Sequence, residues 1–176
     1  MPRVLDQVFS FEEMKQRWDR DNPDNEYIRS TTVPDWYNLD QWIIRVDDED
    51  KTISTTAWRI TPEYVLLGGT KKIPNSGKGH FPDLMKTRNR LLSKDSPWIA
   101  AYTNSPRWLN SVIELGVQIY NEEYGGIDRA ILESLPDSIV NKMKTSYPEG
   151  NWGVYPATAS IQKSWWNIIK GTSEWG

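Results

Sequence analysis

Three β-rich runs follow one another between residues 41 and 70, and no other part of the chain constrains the fold as strongly. Residues 41–46 (QWIIRV) are apolar and β-branched, a polar turn follows, and residues 52–60 (TISTTAWRI) form a second run of this kind. Two such runs joined by a short polar turn predict an antiparallel hairpin. Residues 60–70 (ITPEYVLLGGT) predict a third strand, with Pro62 at its entrance.

A glycine-containing turn and an amphipathic helix come directly after this third strand. The turn reads 73-IPNSGKG-79, and apolar residues then recur at helical spacing from Phe81 to Leu92. Pro82 is tolerated only in the first turn of a helix, so the helix should begin near His80 or Phe81. A helix N-terminus presents unpaired amides, and glycines let the backbone approach an anion closely. The turn therefore predicts an anion site; a turn that only starts a helix is the alternative.

The same part of the chain is basic, whereas the protein as a whole is acidic. Between residues 71 and 94 seven lysines and arginines stand against one acid, Asp83, which gives +6, while the whole chain carries -3. A local reversal of sign is expected where a polyanion docks. A basic helix face that contacts only water is the alternative, and the overall acidity argues against a general nucleic-acid binder.

The composition excludes several kinds of site. The chain has no cysteine and one histidine, His80, so it has no disulfide or thiolate metal site, and we expect no histidine-rich metal site. Ten tryptophans allow a sizeable core, with some left over to bind a partner. No window approaches 18 apolar residues, and the N-terminus (MPRVLDQVF) lacks the profile of a signal peptide, so a cytoplasmic protein is expected.

The remaining elements follow from local signals. Ser10 and Glu13 form a capping box, and Phe11, Met14 and Trp18 follow at helical spacing, after a short N-terminal strand. Later segments are predicted as strands at 97–102 and 117–120, helices at 106–115, 127–135 and 136–144, a loop or strand at 151–158, and a helix at 160–171 with Ile161, Trp165, Ile168 and Ile169 on one side. Trp42, Trp58, Trp98 and Trp108 are expected in the core.

Two common phosphate-binding motifs do not fit the turn. The P-loop requires Ser or Thr after its lysine, and Gly79 follows Lys78 here. The dinucleotide fingerprint requires a third glycine where this chain has Pro82.

The order of elements across residues 63–119 resembles the GNAT superfamily of acyl-CoA N-acyltransferases. In that family a central strand runs into a loop of pattern [QR]-x-x-G-x-[GA], which opens a helix and whose backbone amides hold the pyrophosphate of coenzyme A. Residues 74-PNSGKG-79 occupy those six places. Asn104, followed by a helix and then by Gly116 and Val117, matches the later features. The resemblance covers about residues 1–120.

The resemblance implies an α/β (α+β) fold with a mixed, mostly antiparallel central sheet flanked by helices. Residues 1–125 would form the GNAT-like domain, and residues 126–176 a helical C-terminal extension packed on the same domain. Acetyl-CoA, or another acyl-CoA, would be the co-substrate, an amine would be the acceptor, and no metal would take part.

The resemblance also assigns roles to residues. The cofactor-binding set would be Asn75, Ser76, Gly77, Lys78, Gly79, His80 and Asn104, the last holding the pantetheine or a neighbouring splayed strand. Lys78 would face the pyrophosphate, or only water, and His80 suits a phosphate contact or a helix cap better than a base. Glu63 is the candidate catalytic base because it is the carboxylate nearest the loop in sequence; a solvent-facing residue at a strand start is the alternative.

Two departures from the family pattern keep other functions open. Pro74 stands where the family has Gln or Arg, and Val112 stands where it often has a tyrosine that protonates the thiolate. Tyr102, Tyr120 or a water would have to supply that proton. One alternative is a catalytically inactive GNAT-like structural or interaction protein, such as a virion or assembly component that oligomerises or binds a partner through its Trp-rich C-terminus. Another is a nucleic-acid binder that uses the basic helix.

Overall fold

The structure is a computed structural model, and it describes residues 1–29, 38–61, 64–91, 98–103, 118–120, 137, 151–156 and 165–170. In chain order these residues form β1 (Arg3–Val4), α1 (Phe11–Asp21), β2 (Gln41–Val46), β3 (Thr52–Ile60), β4 (Tyr64–Lys72), α2 (His80–Leu91), β5 (Trp98–Thr103), β6 (Gln118–Tyr120), β7 (Asn151–Pro156) and β8 (Trp165–Lys170). The chain divides into two compact units, one made of residues 1–59 and 67–92 and the other of residues 60–66 and 93–176.

The expected α/β class is confirmed in its coarse form, because the described residues combine two helices with a four-stranded antiparallel sheet. The strand order in this sheet is β1-β2-β3-β4. The GNAT-like arrangement and the domain limits 1–125 and 126–176 stay predictions. Among the described residues, neither α1 nor α2 is long and apolar enough to cross a membrane.

The predicted hairpin forms β2 and β3. The two strands pair antiparallel from Gln41 opposite Trp58 to Arg45 opposite Ser54, and the register shifts between Arg45 and Val46. In the connecting turn, the Asp47 carboxylate accepts hydrogen bonds from the amides of Glu49 and Lys51 at 2.8 and 3.0 Å.

The outer edge of β2 is covered by the N-terminal segment of the chain. Arg3 and Val4 pair antiparallel with the end of β2. The Leu5 amide donates to the Ile44 carbonyl at 2.9 Å, and Phe9 and Trp42 exchange both backbone hydrogen bonds at 2.8 and 2.9 Å. The predicted N-terminal strand is thus confirmed as a short, interrupted pairing.

The capping box at the start of α1 is confirmed. The Ser10 hydroxyl accepts from the Glu13 amide at 3.2 Å, and the Glu13 carboxylate accepts from the Ser10 amide at 3.0 Å. Met14 and Trp18 are buried on one side of the helix. At the other end, the Asn22 amide donates to the Trp18 carbonyl at 2.8 Å and ends the helix.

We expect Ser10→Ala to lower the free energy of unfolding by about 1 kcal/mol, because the Glu13 amide loses its acceptor at the helix N-terminus. Urea denaturation followed by circular dichroism measures the change. Ser10→Asp is the matched control, since it keeps an acceptor oxygen at the cap. Equal losses in the two variants would contradict this role for the hydroxyl.

The two helices contact opposite faces of the β2–β3 pair. On one face, the rings of Phe11, Trp18, Tyr27 and Trp42 form an aromatic cluster with centroid separations between 5.4 and 5.9 Å. Burial within this cluster raises the pKa of Tyr27 to about 12. Trp42 and Trp58 are both buried, as predicted. On the other face, α2 contacts Arg45 and Thr56.

The second unit contains the strand order β5-β7-β8-β6. β5 pairs antiparallel with β7, β7 pairs antiparallel with β8, and β8 pairs parallel with β6. The strands predicted at 97–102 and 117–120, and the strand alternative at 151–158, are confirmed. The helices predicted at 106–115, 127–135 and 136–144 fall almost wholly outside the described residues.

The prediction of a helix at 160–171 is wrong for Trp165–Lys170, which form β8. The run WWNIIK is short, nearly all apolar and rich in aromatic and β-branched residues, and periodicity alone does not separate a helix from a strand in such a run. β6 pairs with residues 165–167 on one side of β8, and β7 pairs with residues 167–170 on the other. Tertiary pairing therefore decides the conformation of this run.

Candidate anion-binding turn

The turn between β4 and α2 alternates left-handed positions with ordinary ones. Asn75, Gly77 and Gly79 have φ of 61°, 96° and 84°. Glycine enters this region without steric cost, and asparagine is among the few other residues that tolerate it. Upstream, the Ile73 amide donates to the Ile53 carbonyl at 2.9 Å, which fixes the entry of the turn to β3.

The turn leaves backbone donors free at the start of α2, which begins at His80 as predicted. The first helical hydrogen bond runs from the Asp83 amide to the Gly79 carbonyl at 3.2 Å. Within the described part of the chain, the amides of Gly77, Lys78 and Gly79 have no acceptor from the protein. A Cβ placed on Gly77 would meet nothing within 4 Å, so the space beside it is open.

His80 turns its side chain into the protein. The residue is 6% exposed, with Nδ1 3.1 Å from the Nη1 atom of Arg45 and Nε2 3.1 Å from the Ser76 hydroxyl. Burial, followed by the nearby charges of Arg45 and Lys72, lowers the pKa of His80. Both ring nitrogens are used within the protein, so a contact from this residue to a phosphate would have to come from its backbone amide.

Arg45 lies beneath the start of α2. Its side chain is buried, and its Nε and Nη2 atoms are each 2.9 Å from Oδ2 of Asp83. The Nη2 atom would be 3.5 Å from a Cβ on Gly79. Arg45 belongs to no motif that points to a site; its signal in the sequence is a lone charge inside the apolar run 41–46.

The basic residues around the turn separate into two groups. Arg88 is buried, and its Nη1 atom donates to the Thr56 hydroxyl at 2.9 Å. Lys72, Lys78, Lys86 and Arg90 are exposed. The solvent side of the turn and of α2 is therefore positively charged.

Two predicted site residues, Glu63 and Asn104, lie outside the described residues. The structure places Asn75, Ser76, Gly77, Lys78 and Gly79 in the turn and His80 at the first position of α2, and their binding role stays a prediction. In the described ranges, no group of three His, Cys, Asp or Glu side chains could hold a metal ion.

Comparison with known proteins adds no relative. No family model, no curated protein and no solved structure matches this chain.

Proposed function

We propose that this protein is a GNAT-like N-acyltransferase that binds acetyl-CoA, or another acyl-CoA, and passes the acyl group to an amine. The observation that supports this proposal is that the three amides from Gly77 to Gly79, just before α2, have no acceptor among the residues that the structure describes. Free amides at a helix N-terminus favour an anion with several acceptor oxygens, and a diphosphate is such a group.

The charge around the turn supports the same ligand. Lys78 lies between the two glycines and is exposed, and Lys72 is exposed at the end of β4. Both ammonium groups can approach a diphosphate from the solvent side and stay hydrated. Arg45 adds a buried positive charge below Gly79, although Asp83 offsets part of it.

The proposed reaction is a direct attack of the amine on the thioester. The amine nitrogen bonds to the thioester carbonyl carbon, the carbon–sulfur bond breaks, and the amine proton passes to a base, for which Glu63 is the candidate. The leaving thiolate takes its proton from a tyrosine or a water, since Val112 stands in the family's usual tyrosine place.

Isothermal titration tests the binding step. We expect heat of binding with coenzyme A and with inorganic pyrophosphate, and none with pantetheine, which lacks the diphosphate. Gly79→Ala should weaken coenzyme A binding by about tenfold or more, because a side chain at φ of 84° forces the turn to shift and misplaces charge-assisted hydrogen bonds.

Lys86→Ala is the matched control, since Lys86 is exposed on α2 outside the turn. The affinity of this variant for coenzyme A should stay within about threefold of that of the wild type, as expected for a screened surface charge. No heat and no thermal shift at millimolar coenzyme A would overturn the proposal.

One observation favours the alternative of a structural or interaction protein. The His80 ring hydrogen-bonds to Ser76 and to Arg45, so the protein's own contacts hold the turn in shape without a ligand. A stable oligomer or complex in a native mass measurement, together with indifference to coenzyme A, would select this alternative.

A further inference from the structure

We propose that Arg45, His80 and Ser76 form a proton-sensitive latch that holds the turn 75–79 in its anion-binding conformation and opens it when His80 is protonated. The latch is defined by the contacts of His80 with the other two residues. Its effect on the turn stands on the structure alone, and its effect on ligand affinity rests on the proposed function.

The hydrogen bonds fix the tautomer of His80. An arginine guanidinium has only donors, so the Nδ1 atom of His80, 3.1 Å from Arg45, must accept. The Ser76 hydroxyl donates its hydrogen to the Ile73 carbonyl, so its oxygen accepts from the Nε2–H of His80 at 3.1 Å. The hydrogen bonds therefore form a chain in which each donor points the same way, from Arg45 through His80 and Ser76 to Ile73. This hydrogen-bond chain is complete only when the imidazole is neutral.

Protonation breaks this chain at one defined place. A hydrogen on Nδ1 would face the N–H of Arg45 across 3.1 Å, two donors and two positive charges in a buried site. The Asp83 carboxylate does not relieve the conflict, because it already accepts from the other side of the same guanidinium. The imidazolium would have to leave, and Ser76 would lose its donor.

The charges around the imidazole come from each element packed against it. Arg45 projects from β2, Lys72 ends β4, Lys78 lies in the turn, and Asp83 lies one turn along α2. A second ion pair of α2, Arg90 with Asp6, lies at the far end of the helix. His80 is the residue of this set whose ordinary pKa is closest to neutrality.

The sign of the pH dependence follows from the lowered pKa of His80. Burial lowers it first, followed by the charges of Arg45 and Lys72, and hydrogen bonds of the ring with backbone groups of Ser76 and Gly77 offset only part of this shift. The folded state favours the neutral ring. The stability that the latch contributes is present above the pKa of the unfolded chain, and it is lost as the pH falls through the lower pKa of the folded protein.

Nuclear magnetic resonance tests the latch directly, because His80 is the only histidine and gives one set of imidazole signals. We expect the Nε2–H tautomer at neutral pH and a titration below that of the urea-unfolded chain. Hydrogen-exchange protection of the amides at 75–81, corrected for intrinsic exchange, should fall through the same titration. An Nδ1–H tautomer, a titration at or above that of the unfolded chain, or unchanged protection would overturn the proposal.

His80→Gln is the control variant, because an amide side chain is not protonated in this range. Its turn should show protection that does not change across the pH at which the wild-type His80 titrates. Ser76→Ala removes an acceptor of the Nε2–H without adding a charge. Because the charged ring donates to this acceptor more strongly than the neutral ring does, the His80 titration should move further below that of the unfolded chain. Variants that behave as the wild type would count against the latch.

Coenzyme A binding on both sides of the titration tests the regulation. We expect the affinity of the wild type for coenzyme A to fall by about tenfold or more as the pH falls below the pKa of His80. Dividing this affinity by that of His80→Gln at each pH cancels the titration of the ligand's own phosphates. Absence of binding at every pH would refute the proposed function, and the resonance titration would still decide the latch. Binding that does not change while the turn opens would refute the regulation alone.

Discussion

Replacing Trp18 with alanine is expected to lower the free energy of unfolding by about 4 kcal/mol. The Trp18 side chain is fully buried, and its ring meets Tyr27 edge-on at 5.6 Å. Its Nε1–H donates to the Asn25 carbonyl at 2.7 Å, so the substitution also leaves that carbonyl without its donor. Lys71 places its ammonium 5.6 Å from the same ring. Urea denaturation followed by far-ultraviolet circular dichroism measures the loss without relying on tryptophan emission.

Ile28→Ala is the control for Trp18→Ala, because Ile28 is 80% exposed and its truncation should change stability by less than about 0.5 kcal/mol. Trp18→Phe should fall between the two, since it keeps a ring but loses the hydrogen bond to Asn25. A loss below about 1 kcal/mol for Trp18→Ala would contradict the packing of α1 on the sheet.

Gly69→Ala is expected to cost about 3 kcal/mol, from a steric clash and a strained backbone together. A Cβ at this position would lie 2.8 Å from Cη2 of Trp42 and 3.3 Å from Cβ of Ala57, and φ is 66°. The Trp42 ring cannot easily move away from the added Cβ, because its centroid lies 5.5 Å from that of the Phe11 ring and 5.4 Å from that of the Tyr27 ring. Chemical denaturation measures this change as well.

Gly77→Ala is the matched control for Gly69→Ala. Its φ of 96° is also left-handed, but the added Cβ would meet nothing within 4 Å. It should therefore cost only the backbone term, about 1 kcal/mol. The difference between the two variants isolates the clash with Trp42, and equal losses would show that the ring moves aside freely.

Local signals were enough to predict the first unit. Ser10 and Glu13 mark the start of α1, Pro82 limits where α2 begins, and β-rich runs joined by a polar turn mark β2 and β3. Each of these signals acts through the backbone within a few residues, so the sequence carries it directly. The left-handed conformations in the turn also fit glycine at positions 77 and 79.

Long-range contacts were beyond the same reasoning. Arg45 and His80 are 35 positions apart, and nothing in either local pattern shows that one meets the other. A histidine that follows two glycines suggests a ligand contact when read alone, whereas its ring nitrogens are used by Arg45 and Ser76. The error at β8 has a similar origin, because its conformation depends on β6 and β7 rather than on its own six residues.

The N-terminal segment has a consequence for how copies of this protein meet. Its pairing with β2 through Val4, Leu5 and Phe9 occupies carbonyl and amide groups that would otherwise form the rim of the sheet. An open rim is a template on which a second molecule can add a strand. Residues 3–9 cover that side of β2 and leave a short, interrupted strand at the edge of the sheet, and very short edge strands are one way in which natural sheets hinder the addition of a further strand.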